Sequence, residues 1–124
     1  MGKKFLLDTN AIIDFCSSLL PAKGQKLIAK IVDDEPIISV INKIELSSLN
    51  DIPPPILAFL DLADIIPLDN DIVNQTILLR KKYKLKLPDA VIAASALIND
   101  YTIVTHNVKD FNNIKGLKIL DPHN

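Results

Sequence analysis

Acidic residues stand at the boundaries of apolar runs in this sequence of 124 residues. Asp8 directly follows an apolar run, Asp89 directly precedes another, and Glu45 lies in the segment after a third. Asn107 and Asp110 follow a fourth run. Carboxylates that meet in a fold repel one another and raise one another's pKa values unless a cation neutralises them. Oxygen ligands select hard cations, so a shared site of these residues predicts Mg²⁺ or Mn²⁺.

Each acid also has a purely structural explanation. Asp8 could cap a helix by accepting backbone N–H groups. Glu45 lies three residues after Asn42, which is the spacing of a capping box. Asp89 follows Pro88, and a carboxylate there suits the positive end of a helix dipole. The metal-site interpretation therefore depends on whether the fold brings these acids to one place.

Apolar runs of strand length alternate with segments of helical periodicity, which predicts a parallel sheet with helices on both faces. The expected architecture is a three-layer α/β/α domain that spans residues 1–124, with a parallel sheet of four or five strands. Ligands bind at the carboxyl ends of strands in such sheets, which is where the acids are expected. Strands are predicted at residues 5–7, 37–41, 65–68, 102–105 and 117–120.

Helices are predicted between these strands. One starts at Asn42, which places Glu45 in its first turn, and an alanine-rich helix over residues 90–99 is apolar on nearly every side. A longer helix runs from residue 69 or 70 to about residue 83. In that helix the apolar residues expected to face the core are Ile72, Val73, Ile77 and Leu78.

Net charge is −1 and the isoelectric point is near 6.0, which argues against a general nucleic-acid binder. One stretch is nevertheless strongly basic and contains Tyr83. It is either a local basic patch for a nucleic acid or the solvated end of a helix, where cations suit the dipole. This basic segment comprises Arg80, Lys81, Lys82, Lys84 and Lys86.

Other residue types exclude several classes of protein. No apolar run approaches the roughly 18 residues of a membrane span. The single cysteine, Cys16, fits a reducing cytoplasm and is expected to pack as a small apolar residue. His106 and His123 are expected to lack partners, so no zinc pattern is present.

Four strings, in order along the chain, resemble the PIN-domain family and specifically its VapC-type toxins. They are FLLDTNAII at residues 5–13, ISVINKIEL at 38–46, LPDAVIAASAL at 87–97 and VTHNVKDF at 104–111. The resemblance implies an endoribonuclease that acts with Mg²⁺ or Mn²⁺. It also implies a homodimer that is neutralised by a small VapB-type antitoxin.

The resemblance also assigns roles to individual residues. It makes Asp8, Glu45 and Asp89 metal-binding acids, with Asp110 as a further catalytic carboxylate. Many relatives carry aspartate where this chain has Asn107, so either Asn107 or Asp110 fills the fourth position.

Thr9 and Thr105 align with polar residues that line the site in relatives. In-line attack by a metal-activated water on the RNA phosphate is then expected, leaving 5′-phosphate and 3′-hydroxyl ends.

Two other functions are compatible with the same residues. Asn107 favours a non-catalytic binding module whose metal site is incomplete. A phosphohydrolase with an aspartyl nucleophile is disfavoured, because Asn10 stands where a second aspartate is usual. An antitoxin is expected to lie between the early helices, where residues 52–62 either contact it or close the core.

Overall fold

Seven helices and five short strands alternate along the chain, and the computed structural model describes residues 2–124. The strands are β1 (Phe5–Leu7), β2 (Ile37–Ser39), β3 (Asp64–Ile66), β4 (Thr102–Val104) and β5 (Lys118–Leu120). The helices are α1 (Thr9–Cys16), α2 (Ala22–Asp34), α3 (Val40–Ser47), α4 (Pro54–Leu62), α5 (Asn70–Lys82), α6 (Leu87–Asn99) and α7 (Val108–Phe111).

The five strands form one parallel sheet in the order β3-β2-β1-β4-β5. Leu6 in the central strand pairs with Ile37 on one side and with Ile103 on the other. The predicted α/β class and parallel sheet are confirmed. Strand β3 lies at one edge of the sheet, and Pro67, which cannot donate to a strand ladder, follows it directly. The carboxyl ends of β1, β2 and β4 are consequently neighbours.

Successive side chains of a strand point to opposite faces, and this alternation divides the core into two layers. Leu6 packs with Ile92 and Phe111 on the face covered by α5, α6 and α7. Leu7 packs with Ile28 and the helices α1, α2 and α4 on the opposite face. The sheet is therefore the middle of three layers.

Helix α6 is buried over most of its surface, from Ala90 to Ala96, as its apolar sequence predicts. It packs against α5 and against the central strands, so its first turn lies at the same sheet edge as the start of α1 and α3. Within residues 2–124, no helix combines the length and the apolar composition needed to cross a bilayer.

The second strand is shorter than predicted, because Ser39 ends it and caps α3. The Ser39 hydroxyl accepts from the Ile41 N–H at 3.1 Å, and Asn42 Oδ1 accepts from the Ser39 N–H at 2.9 Å. This capping box lies one turn earlier than the predicted Asn42–Glu45 box. It overrides the strand preference of Val40 and Ile41, and it places Glu45 in the second helical turn.

The prediction of which residues of α5 face the core is wrong for Ile77 and Leu78. Ile72, Thr76 and Leu79 are the buried positions, whereas Ile77 is 48% exposed and Leu78 is 60% exposed. Apolar residues occur on both faces of this helix, so periodicity alone did not identify the buried one. Thr76 is tolerated inside because its hydroxyl donates to the Ile72 carbonyl at 2.7 Å.

Candidate active site

Asp8 stands at the junction of β1 and α1. Its backbone N–H donates to the Val104 carbonyl at 3.0 Å, which extends the pairing of β1 and β4 by one bond. Its side chain is the N-cap of α1 and accepts from the Thr9 N–H at 2.9 Å. Asp8 therefore both caps α1 and lies at the carboxyl edge of the sheet, and its exposed fraction is only 6%.

Four donors surround the Asp8 carboxylate. Besides the Thr9 N–H, these are Asn10 Nδ2 at 3.2 Å, Asn42 Nδ2 at 3.2 Å and the Thr105 hydroxyl at 2.8 Å. They come from the starts of α1 and α3 and from the end of β4. An ionised carboxylate accepts about four hydrogen bonds, so the side chain is held in one orientation as an acceptor.

Glu45 is exposed on α3 and is linked to the same group of residues. The Thr9 hydroxyl donates to Glu45 Oε1 at 2.6 Å, and Asn42 Nδ2 donates to the Thr9 hydroxyl oxygen at 3.0 Å. Thr9, predicted to line the site, therefore bridges the acids that follow β1 and β2.

Asp89 lies half-buried in the first turn of α6. Burial raises the pKa of its carboxyl, and the negative charges of Asp110, Asp8 and Glu45 raise it further, while Lys86 acts in the opposite direction. All four predicted acids therefore act electrostatically at one edge of the sheet.

The two candidates for the fourth position of the acidic site, Asn107 and Asp110, lie on the loop and helix that follow β4. Asn107 is exposed, its N–H donates to the Thr105 hydroxyl oxygen at 3.0 Å, and its side chain makes no capping bond to α7. Asp110 lies in α7 and makes the largest charge contribution to the raised pKa of Asp89. The charge distribution favours Asp110 as the fourth acid.

The donor set suits a hard divalent cation, since it consists of carboxylate, hydroxyl and amide oxygens next to a half-buried acid of raised pKa. The positions of the side chains do not complete such a site. Among residues 2–124, no three His, Cys, Asp or Glu side chains converge closely enough to hold one ion. The residues thus fit a cation in chemistry and charge, and binding requires them to move closer together.

The two histidines have partners, contrary to the prediction. His106 Nδ1 lies 3.1 Å from Asp121 Oδ1, and His123 Nε2 lies 2.8 Å from Asp14 Oδ2. The two imidazole rings are 4.2 Å apart between centroids. These pairs join residues far apart in the sequence, so spacing along the chain gave no sign of them.

The basic segment covers the last turn of α5 and the connection to α6, and its five cationic side chains are exposed. Cations at the carboxyl end of a helix interact favourably with its dipole, which agrees with the interpretation of this segment as a solvated helix end. Lys86 also lies close enough to Asp89 to lower its pKa. The Tyr83 hydroxyl accepts from the Lys115 N–H at 3.1 Å, which ties the segment to the loop before β5.

Cys16 is half-buried at the end of α1, and burial raises the pKa of its thiol. A raised pKa reduces the thiolate fraction at neutral pH. This environment is that of a packed residue rather than of a nucleophile.

Asn42 and Asn10 are site residues whose roles the sequence did not reveal. Asn42 was predicted only to start a helix, yet its side chain is fully buried against Asp8. Asn10 donates to Asp8 and accepts from the His106 N–H at 3.0 Å. The available signal was an asparagine inside an apolar run, three residues before Glu45.

Two surface depressions, of about 760 and 530 Å³, lie along α2 and share Leu27 and Lys30 in their walls. None of the four predicted acids lines either depression. The acids thus lie apart from both.

The sequence profile of the PIN domain matches residues 5–117, and the chain belongs to the PIN-domain family. The family membership predicted from the four sequence strings is confirmed. No curated protein sequence shows significant similarity to the chain.

Several solved structures share this fold. A chain of a toxin–antitoxin complex from Klebsiella pneumoniae is 31% identical, with a TM-score of 0.72, and the alignment covers 96% of this chain and 98% of that one. A chain of VapBC2 from Rickettsia felis bound to promoter DNA is 22% identical, with a TM-score of 0.78 and coverage of 94% and 97%. A chain of DNA-bound VapBC from Salmonella typhimurium is 24% identical, with a TM-score of 0.78 and coverage of 98% and 99%.

Proposed function

We propose that this protein is a cytoplasmic endoribonuclease that depends on Mg²⁺ or Mn²⁺ and acts as the toxin of a VapBC-type toxin–antitoxin pair. The observation that carries the proposal is geometric: Thr9 joins Glu45 to the junction of β1 and α1 that Asp8 caps. Asp89 lies in the first turn of α6, where burial and the charges of Asp110, Asp8 and Glu45 raise the pKa of its carboxyl. Acids from four parts of the chain therefore share one edge, an arrangement that costs free energy without a cation and gains it with one.

In this proposal Asp8, Glu45 and Asp89 hold the cation, and Asp110 adds negative charge beside them. A divalent cation supplies a bound water of lowered pKa and stabilises negative charge on the leaving 3′ oxygen. The raised pKa of Asp89 means that this carboxyl holds its proton to higher pH than an ordinary aspartate. The affinity for the cation is accordingly expected to fall as the pH falls.

The surrounding polar residues prepare the acids for this role. Thr105, Asn10 and Asn42 hold the Asp8 carboxylate in one orientation at the sheet edge. Thr9 orients Glu45 through its 2.6 Å hydrogen bond. These residues supply placement, and the chemistry takes place at the carboxylates.

The basic segment is proposed to carry the RNA backbone toward the acids. Its cations are exposed and free to contact phosphates, and Lys86 adjoins Asp89. Tyr83 lies within the segment, 5.5 Å from Lys82 Nζ, but it is partly buried. The contribution of this surface is therefore mainly electrostatic.

A VapB-type antitoxin and a second copy of this chain are the proposed protein partners. The similar structures from Rickettsia felis and Salmonella typhimurium are VapBC complexes, which supports the first partner. In α4, Ile56 and Phe59 close the core while Leu57 and Leu62 are 48% and 63% exposed. The core-closing interpretation of residues 52–62 holds for the buried face of α4, and its exposed face is the proposed contact surface for the antitoxin.

The test of this function is to express the chain and to sequence the 5′ ends of the RNA that accumulates. We expect new 5′-phosphate ends at a restricted set of sites, and none with the Asp89→Asn variant. In vitro, EDTA should stop cleavage by the purified protein and Mn²⁺ should restore it. Cleavage that persists in both Asp89→Asn and EDTA would exclude the proposal.

A non-catalytic binding module is the second candidate. It is favoured by the absence of three converging metal-ligand side chains among residues 2–124 and by the neutral Asn107. Such a module should bind RNA or a protein without cleaving RNA, and calorimetry should detect no Mn²⁺ binding.

A further inference from the structure

Asn42 is fully buried, and each polar atom of its side chain is used. Oδ1 accepts from the Ser39 N–H at 2.9 Å. Nδ2 donates to Asp8 Oδ1 at 3.2 Å and to the Thr9 hydroxyl oxygen at 3.0 Å. A buried amide that makes three contacts of this kind connects the start of α3 to the start of α1.

The orientation of this amide follows from its partners. A backbone N–H can only donate, so the atom facing Ser39 must be the oxygen of Asn42. The NH₂ group is then directed at Asp8 and Thr9, and both of its protons are used. The reverse amide orientation would set a donor against the Ser39 N–H.

The same amide determines which way the Thr9 hydroxyl points. Asn42 donates to the Thr9 oxygen, so the single Thr9 proton is free to donate to Glu45 Oε1 at 2.6 Å. Asn42 therefore contacts one proposed ligand directly and orients another through one hydroxyl.

We propose that Asn42 is the positioning residue that fixes the orientation of the Asp8 carboxylate and, through Thr9, of the Glu45 carboxylate at the sheet edge where the divalent cation is proposed to bind. This inference rests on the proposed function. Asn42 touches neither substrate nor cation. It acts through the direction of the hydrogen bonds it makes to Asp8 and Thr9, as outer-shell residues do around metal ligands.

A capping role alone would give Asn42 the same burial, because its oxygen forms half of the α3 capping box. Ser39→Ala provides a matched control, since it removes the other half of that box and leaves the bonds to Asp8 and Thr9 in place. Asn42→Leu removes all three hydrogen bonds and keeps the branched shape of the side chain, with bulkier methyl groups in place of the amide atoms. Thr9→Val removes the link to Glu45 and keeps the bond from Asn42 to Asp8.

The experiment measures the Mn²⁺ affinity of the full chain by calorimetry, alongside thermal unfolding in EDTA. Asn42→Leu should bind Mn²⁺ at least about 10-fold more weakly than wild type. Thr9→Val should weaken binding by a smaller factor. Ser39→Ala should lower the melting temperature and leave Mn²⁺ affinity within about 2-fold of wild type.

The inference is overturned if folded Asn42→Leu binds Mn²⁺ as tightly as wild type, or more tightly, or if Ser39→Ala weakens binding equally. Should Asn42→Leu fail to fold, an unchanged affinity in Thr9→Val overturns it. A wild-type chain that binds no Mn²⁺ overturns the proposed function as well, which separates the two failures.

Discussion

The Thr105 hydroxyl donates a 2.8 Å hydrogen bond to Asp8 Oδ2 across a sequence separation of 97 residues. The same hydroxyl oxygen accepts from the Asn107 N–H at 3.0 Å and from Asn10 Nδ2 at 3.2 Å. Both acceptor positions are filled, so the Thr105 proton is directed at Asp8. The ends of β1 and β4 are thus joined by side chains as well as by the backbone ladder.

Asp8 and Asp89 should differ in what they contribute to stability. Asp8→Asn places an amide NH₂ among donors from Thr105, Asn10 and Asn42, so we expect a loss of about 1–3 kcal/mol in the free energy of unfolding. Urea denaturation in EDTA measures it. Equal stability of Asp8→Asn and wild type would contradict the hydrogen-bond arrangement.

Asp89→Asn should have the opposite effect on stability in the absence of metal. The raised pKa means that folding favours the protonated carboxyl, so the ionised form destabilises the fold at neutral pH. Removing the charge should stabilise the chain at pH 7 by less than about 1 kcal/mol, because the group is only half-buried.

The gain from Asp89→Asn should shrink as the pH falls through the raised pKa. It should vanish below the ordinary value of 3.8, where Asp89 is protonated in the folded and the unfolded chain. Denaturant unfolding in EDTA between pH 3 and pH 8 tests this dependence. A variant less stable than wild type at pH 7 in EDTA would show that Asp89 does not carry unfavourable charge.

Asp8→Asn and Asp89→Asn should each lower the rate of RNA cleavage by at least about 100-fold, since a metal ion stabilises the transition state by several kcal/mol. Asp61→Asn is the matched control, because it makes the same chemical change on an exposed residue of α4. The measurement is the rate of cleavage of total RNA at saturating Mn²⁺. A similar loss in Asp61→Asn would indicate a nonspecific effect.

Asp110, rather than Asn107, should fill the fourth position of the acidic site. Asp110→Asn removes the charge that acts most strongly on Asp89 and should weaken Mn²⁺ binding by about 10-fold. Asn107→Ala should leave the affinity nearly unchanged, because its side chain makes no capping bond. Calorimetry compares the two variants, and the reverse order would assign the fourth position to Asn107.

Neutralising the basic segment should weaken RNA binding through lost phosphate contacts. We expect Lys81, Lys82 and Lys84, changed together to alanine in the non-cleaving Asp89→Asn background, to reduce the slope of log affinity against log salt by about 2. Fluorescence anisotropy with single-stranded RNA between 50 and 300 mM salt measures the slope.

The control for that experiment removes the same charge elsewhere. Lys23, Lys26 and Lys30 are exposed on α2, and changing them to alanine should leave the salt slope within experimental error of the parent. An equal loss in both triple variants would mean that net charge, rather than the basic segment, determines RNA binding.

Much of the fold was predictable because its signals are local. The apolar run before Asp8 and the alanine-rich helix after Asp89 each indicate their element directly. The alternation of such elements predicts the parallel sheet, and its carboxyl edge is where the acids were expected. The nuclease roles of these acids are proposals that rest on that placement and on the family.

The features that sequence reasoning missed depend on contacts between distant segments. Ser39 ends β2 because its own cap and the Asn42 amide complete a capping box. Which face of α5 is buried depends on α6, against which it packs. The partnership of His123 with Asp14 spans 109 residues. No local periodicity encodes any of these three.

The proposed activity requires a divalent cation to bind among acids that otherwise repel one another. The most direct measurement is an anomalous difference map from a crystal of the protein soaked in Mn²⁺. We predict a peak in contact with the carboxylates of Asp8, Glu45 and Asp89. A map with no peak there, at a Mn²⁺ concentration that supports RNA cleavage, would contradict the account.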